Sequence, residues 1–118
     1  MVKTDKKETI NKIIRFNRAW KLAKQRYGDN SAISILLRDQ KANLQAELLR
    51  NYSGVFLLLD ESTDSDEPVY SVKLESAIEI ESLGFVTNAE HIPVRIAEAL
   101  FSKKQLSELI KAEVCLKY

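Results

Sequence analysis

The side chains that could do chemistry are few and poorly matched. His91 is the only histidine, and it follows Glu90 in a segment that reads as a loop. A general base needs an orienting partner, and a serine or cysteine nucleophile needs an activating neighbour within hydrogen-bond reach. The sequence puts no such neighbour beside either residue. Cys115, the single cysteine, sits between Val114 and Leu116 on an expected helix and reads as a small packing residue. One Cys and one His do not make a structural zinc site. The acidic run Asp60-Glu61-Ser62-Thr63-Asp64-Ser65-Asp66-Glu67 is dense enough to suggest calcium. It lacks the glycine and the alternating ligands of an EF-hand loop, so it reads as a solvated hairpin tip. No Gly-rich phosphate loop, Gly-x-Ser-x-Gly or His-Glu-x-x-His occurs. The expectation is no catalytic residue, no metal and no cofactor: a protein that is not an enzyme.

Cations at helical spacing are the stronger signal. Lys7, Lys12, Arg15, Arg18 and Arg26 fall mostly opposite an apolar stripe of Ile10, Ile13, Phe16, Trp20, Ala23 and Tyr27. Such a face can be merely solvated, its Lys and Arg stems covering apolar surface. It can also follow the phosphates of a nucleic acid, releasing counterions, or lie on an anionic membrane. Trp20 and Tyr27 lie on the apolar side and read as core residues, not as stacking platforms. Ile14 and Leu22 lie among the cations, so this face is not expected to be wholly solvated.

A second basic feature lies near the C-terminus. The stretch from Arg95 to Ile110 resembles a helix-turn-helix, with Ile96, Ala97 and Leu100 in the first-helix core, Ser102 as cap, and Leu106 and Leu109 in the second-helix core. Lys103, Lys104 and Gln105 would then face DNA, with side chains able to contact phosphates or bases. Phe101 stands where the turn glycine belongs, the turn is about one residue short of the motif, and Glu108 and Glu113 add negative charge. A plain helical hairpin with two caps is the simpler reading.

These features must be carried by surrounding elements. Thr4 as N-cap, Asp5 and Glu8 in the first turn and Gly28 as stop define a first helix. Asn30 or Ser31 caps a second helix that runs to about Tyr52. It has two apolar stripes: Ile33, Leu37, Leu44, Leu48 and Tyr52, and then Ile35, Ala42, Ala46 and Leu49. The short connector folds the two helices into an antiparallel pair, and the second stripe could bury against another copy, giving a homodimer. Val55-Phe56-Leu57-Leu58-Leu59 is the longest apolar run and reads as a central strand covered on both faces. Tyr70, Val72 and Leu74 alternate with Ser71, Lys73 and Glu75, as in a half-buried strand pairing antiparallel with it. Residues 76–83 are open to two readings. Ile78 and Ile80 extend the strand if they alternate, whereas Ser76 with Glu79 as a capping box and Gly84 as stop make a short helix, the reading preferred. Thr87 to Glu90 could cap again, Pro93 suits a helix start for residues 93–101, and Ser102 with Gln105 caps a last helix carrying Leu106, Leu109, Ile110, Val114 and Leu116.

The expected fold is therefore α+β and mostly helical: an N-terminal αα-hairpin (residues 4–52), a central antiparallel β-hairpin (54–75) and short C-terminal helices (76–117) in one compact domain spanning 1–118. Hydrophobic residues at 45% and charged residues at 30% suit a soluble globular chain. No apolar span long enough for a bilayer occurs, and a lone cysteine suits a reducing, cytoplasmic setting. The net charge of +1 hides a segregation: residues 1–30 hold nine Lys/Arg against three acids, while 54–90 hold nine acids against Lys73 alone. Charge separated in this way suggests an electrostatic partner, an end-to-end dimer or internal compensation. The sequence reading is a small regulatory or accessory protein that binds nucleic acid through Lys7, Lys12, Arg15 and Arg18, with Lys103, Lys104 and Gln105 as a second contact. The alternative is a protein-interaction module (adaptor, inhibitor or immunity type) using the acidic hairpin or the basic helix.

Overall fold

A computed structural model describes residues 5–61, 67–81 and 83–111. In chain order it holds α1 (Lys6–Tyr27), α2 (Ala32–Asn51), β1 (Val55–Asp60), β2 (Val69–Ile80), β3 (Gly84–Pro93), α3 (Val94–Leu100) and α4 (Lys103–Leu109). This is the mostly helical α+β arrangement that the sequence implies, with helices at both ends of an antiparallel sheet.

The helix ends follow from local chemistry. The Asp5 carboxylate accepts the Glu8 backbone N–H at 2.7 Å, so the N-cap is Asp5, one residue after the suggested Thr4, which lies outside the described residues. Gly28, with φ at 91°, closes α1 and donates its N–H to the Lys24 carbonyl. The Ser31 hydroxyl accepts from the Ser34 N–H and starts α2, and the two helices pack as a hairpin. The buried arc of α1 is Ile10, Ile13, Ile14, Asn17 and Ala23. Phe16 and Trp20 are only half-buried, and Tyr27 is 63% exposed, so the helix is rotated relative to the stripe the sequence suggested. In α2, Ala42, Ala46, Leu48 and Leu49 are all buried. The second stripe, apart from Ile35, is thus consumed within the chain, because α2 packs on α1, α3 and the sheet.

The sheet corrects two expectations. Its order is β1-β2-β3, so β2 is central and the apolar run Val55–Leu59 forms an edge strand, with Leu59 exposed. Ile110 covers part of that edge in a parallel bridge to Leu57, and the Lys111 N–H donates to the Leu57 carbonyl at 2.9 Å. Residues 76–80 are not a short helix but the continuation of β2, and β3 occupies the segment read as loop and cap. Alternation wins because Ile80 and Ile78 turn into the core opposite Gly84 and Val86, while Ala77 and Glu79 face solvent. Gly84 serves the hairpin turn with φ at 78°, the same left-handed freedom that a helix stop would use.

Past Pro93 the chain forms α3 and then α4, whose Ser102–Gln105 capping box is complete but which ends at Leu109: Ile110, expected on this helix, is its extended C-cap because it bridges to Leu57. Residues of α1, α2, α3 and α4 and of all three strands join one apolar cluster around Ile10, Ile13, Leu48, Leu57, Val72 and Ile92. The expected acidic loop tip at 62–66, and Val114, Cys115 and Leu116, lie outside the described residues.

Candidate binding surface on the helical hairpin

The rotation of α1 brings the basic residues to their final positions. With Ile10, Ile13 and Ile14 turned inward, Lys7, Arg15 and Arg18 are exposed and Lys12 is half-buried. Phe16 and Ala19 then point outward between the two helices. Together with Lys12, Arg15, Gln40 and Leu44 they line an open groove. Leu22 and Leu36, each 53% exposed, continue the same two rows towards the tip of the hairpin. The groove therefore has an apolar floor and a cationic rim. Among the ion pairs between described residues (Arg38–Asp39, His91–Asp60, Arg95–Glu67 and Lys111–Glu75), none involves a cation of α1.

Lys103, Lys104 and Gln105 are exposed at the start of α4. The Gln105 side-chain oxygen accepts the Ser102 N–H at 2.8 Å, so it is engaged in the helix cap. The second helix of the motif-like segment is seven residues long. It packs on α3 and β1, whereas α1 packs on α2, β2 and β3, so the two basic features rest on different supports.

Two polar clusters escape a reading of the sequence. Lys41 is buried on α2, its Nζ donating to Asn17 Oδ1 at 2.9 Å and lying 4.5 Å from the Trp20 ring centre. Lys24 approaches the same ring at 4.5 Å. Burial pulls the Lys41 ammonium down to about 8, opposed by the charge of Glu90 and assisted by Lys21 and Lys24. Next to it, Gln45 donates from Nε2 to the carbonyls of Ala89 and His91 at 2.9 and 3.2 Å. The available signal is the first α2 stripe, whose spacing passes through position 41 between Leu37 and Leu44 and so places Lys41 on a packed face.

The second cluster lies on the sheet face opposite Leu57 and Val72. Asp60 Oδ2 accepts the Ser71 hydroxyl at 3.1 Å and lies 2.9 Å from His91 Nε2. His91 thus gains the partner that its sequence neighbours did not supply. The carboxylate sits between hydroxyl and imidazole, whereas acyl transfer needs the imidazole next to the nucleophile. Among the described residues no group of three or more His, Cys, Asp or Glu could hold a metal ion, and no helix is long and apolar enough to cross a membrane.

Comparison with known proteins adds no family: no family model, no curated protein and no solved structure matches this chain.

Proposed function

We propose that this protein is a non-catalytic interaction module whose α1–α2 groove docks an acidic segment of a protein partner. The observation that carries this reading is the groove itself, where Lys12 and Arg15 flank an apolar floor of Phe16, Ala19 and Leu44. An apolar floor rewards burial of aliphatic or aromatic side chains. The two cations along its α1 wall reward acids beside them and accelerate encounter. A phosphate backbone would use the cations and leave the floor uncovered.

Nucleic acid is the second reading, favoured by Lys7 and Arg18, which add exposed charge on α1 beyond the groove. Lys103 and Lys104 are weaker support for it, since they stand on a different part of the fold from α1 and Gln105 is committed to its cap.

The test is a titration of ¹⁵N-labelled protein with two probes, followed by amide shifts. One is a synthetic amphipathic peptide of about five turns, leucine on one face and glutamate on the other. The other is a mixed-sequence DNA duplex. The expected result is peptide-induced shifts at Lys12, Arg15, Phe16, Ala19, Gln40 and Leu44, with no DNA binding at low salt. Shifts along Lys7, Lys12, Arg15 and Arg18 with DNA, weakening steeply with salt, would replace the proposal by the nucleic-acid reading. No response to either probe overturns both.

A further inference from the structure

The end of the β2–β3 hairpin has two unlike sides. Ile78, Ile80 and Val86 turn towards the core, while Ala77, Glu79, Phe85 and Thr87 face outward. Phe85 is 73% exposed, more than any other large apolar residue described. It is paired directly across the strands with Glu79, and Glu81 follows in the turn. Neither glutamate takes part in an ion pair between described residues. The hairpin end therefore presents an aromatic ring in a negative setting. The groove presents an apolar floor in a positive one, so the same chain carries two complementary surfaces.

They do not meet within one molecule. Counted at about 100° per residue, Lys12, Arg15, Phe16 and Ala19 point roughly 160° away from the arc of Ile10, Ile13, Ile14 and Asn17. That arc is the side of α1 buried against the fold, and β2 and β3 are the strands on which α1 packs. The hairpin and the groove thus lie on opposite sides of α1.

We propose that the groove of one copy receives the β2–β3 hairpin end of a second copy, Phe85 on the floor and Glu79 beside Arg15, in a head-to-tail contact. This assignment rests on the groove being a docking site, and names an occupant for it. Because the two surfaces face opposite ways, each copy gives its hairpin end to one neighbour and its groove to another, and the contact repeats along a chain of copies. Separate basic and acidic regions of a chain with net charge +1 then neutralise one another between copies.

Sedimentation equilibrium from low micromolar to submillimolar concentration tests this, with Phe85→Ser, Arg15→Glu, Glu79→Arg and the double variant Arg15→Glu/Glu79→Arg. All three positions are exposed in the single copy, so thermal melts monitored by circular dichroism verify that each variant is folded. The expected result is a weight-average mass that climbs past that of a dimer as concentration rises, with the association weakened at least about tenfold by each single substitution and largely restored in the double variant. Association that stops at a dimer, or that is indifferent to these substitutions, uses another surface and overturns the proposal. A monomer throughout, in a protein whose groove still answers the acidic peptide, overturns the self-docking and leaves the groove as a docking site. A monomer whose groove answers no peptide overturns both.

Discussion

Lys41 shows how far a single side chain can be held from its ordinary chemistry. Its ammonium is buried, donates to Asn17 Oδ1 and shares the Trp20 ring with Lys24. Taking the ion out of water costs more than these contacts return, which is why burial pulls its pKa from 10.5 to about 8. Between those two values the unfolded chain binds the proton and the folded chain has released it. Stability therefore rises with pH across that window and is flat below it. At about 1.4 kcal/mol per tenfold change, the span corresponds to ~3 kcal/mol. Urea unfolding at pH 7.5 and pH 9.5 is expected to show the midpoint moving upward. In Lys41→Met, which keeps the length and discards the charge, that upward movement should vanish while the fold persists. Tyr70, whose pKa burial raises, works in the opposite direction only at still higher pH.

Among the elements, α4 depends most on its ends. Seven residues form too few internal hydrogen bonds to hold a helix alone. Ser102 Oγ accepts the Gln105 N–H at 3.1 Å and Gln105 returns the favour to the Ser102 N–H, satisfying donors that water would otherwise claim. Ser102→Ala is expected to cost about 1 kcal/mol, with faster amide hydrogen exchange at Gln105 and Leu106. Unchanged exchange there would mean that Phe101 and Leu106, both buried, hold the helix unaided. The segment 76–80 teaches the complementary point. Its Ser-x-x-Glu spacing is an equally good local start for a helix, yet burial of Ile80 opposite Gly84 outweighs a cap on an exposed turn.

For the whole molecule, the decisive join is between the helical hairpin and the outer edge of β3. Gln45 is fully buried, and its amide nitrogen serves two carbonyls on either side of Glu90, whose φ of 70° bends the strand locally. Replacing this side chain by one of similar size but no donor leaves those carbonyls without their partner. Gln45→Leu is expected to lose about 1–3 kcal/mol of stability, read from the urea midpoint at unchanged slope. A neutral result would show that apolar packing of α2 alone seats the hairpin on the sheet.

The amino-acid sequence by itself determined the two long helices, the capped start of the last one, the β1–β2 pairing and the mostly helical α+β character. All of these rest on short-range physics: side-chain periodicity, caps at Ser31 and Ser102, and glycines at positive φ. It did not determine that β2 is the central strand, because a run as apolar as Val55–Leu59 suits a centre and a covered edge equally well, and Ile110 supplies the cover from far along the chain. Nor did it reveal Lys41, Gln45 or the Asp60–Ser71–His91 cluster, whose residue types read as surface until residues distant in sequence surround them. The cations of α1 were legible as a group, but not as the rim of a groove. That depended on the rotation of α1, which was set by the sheet burying Ile10, Ile13 and Ile14 and leaving Phe16 and Ala19 outside. Local preference chose the elements; burial against distant partners chose which faces remain for binding.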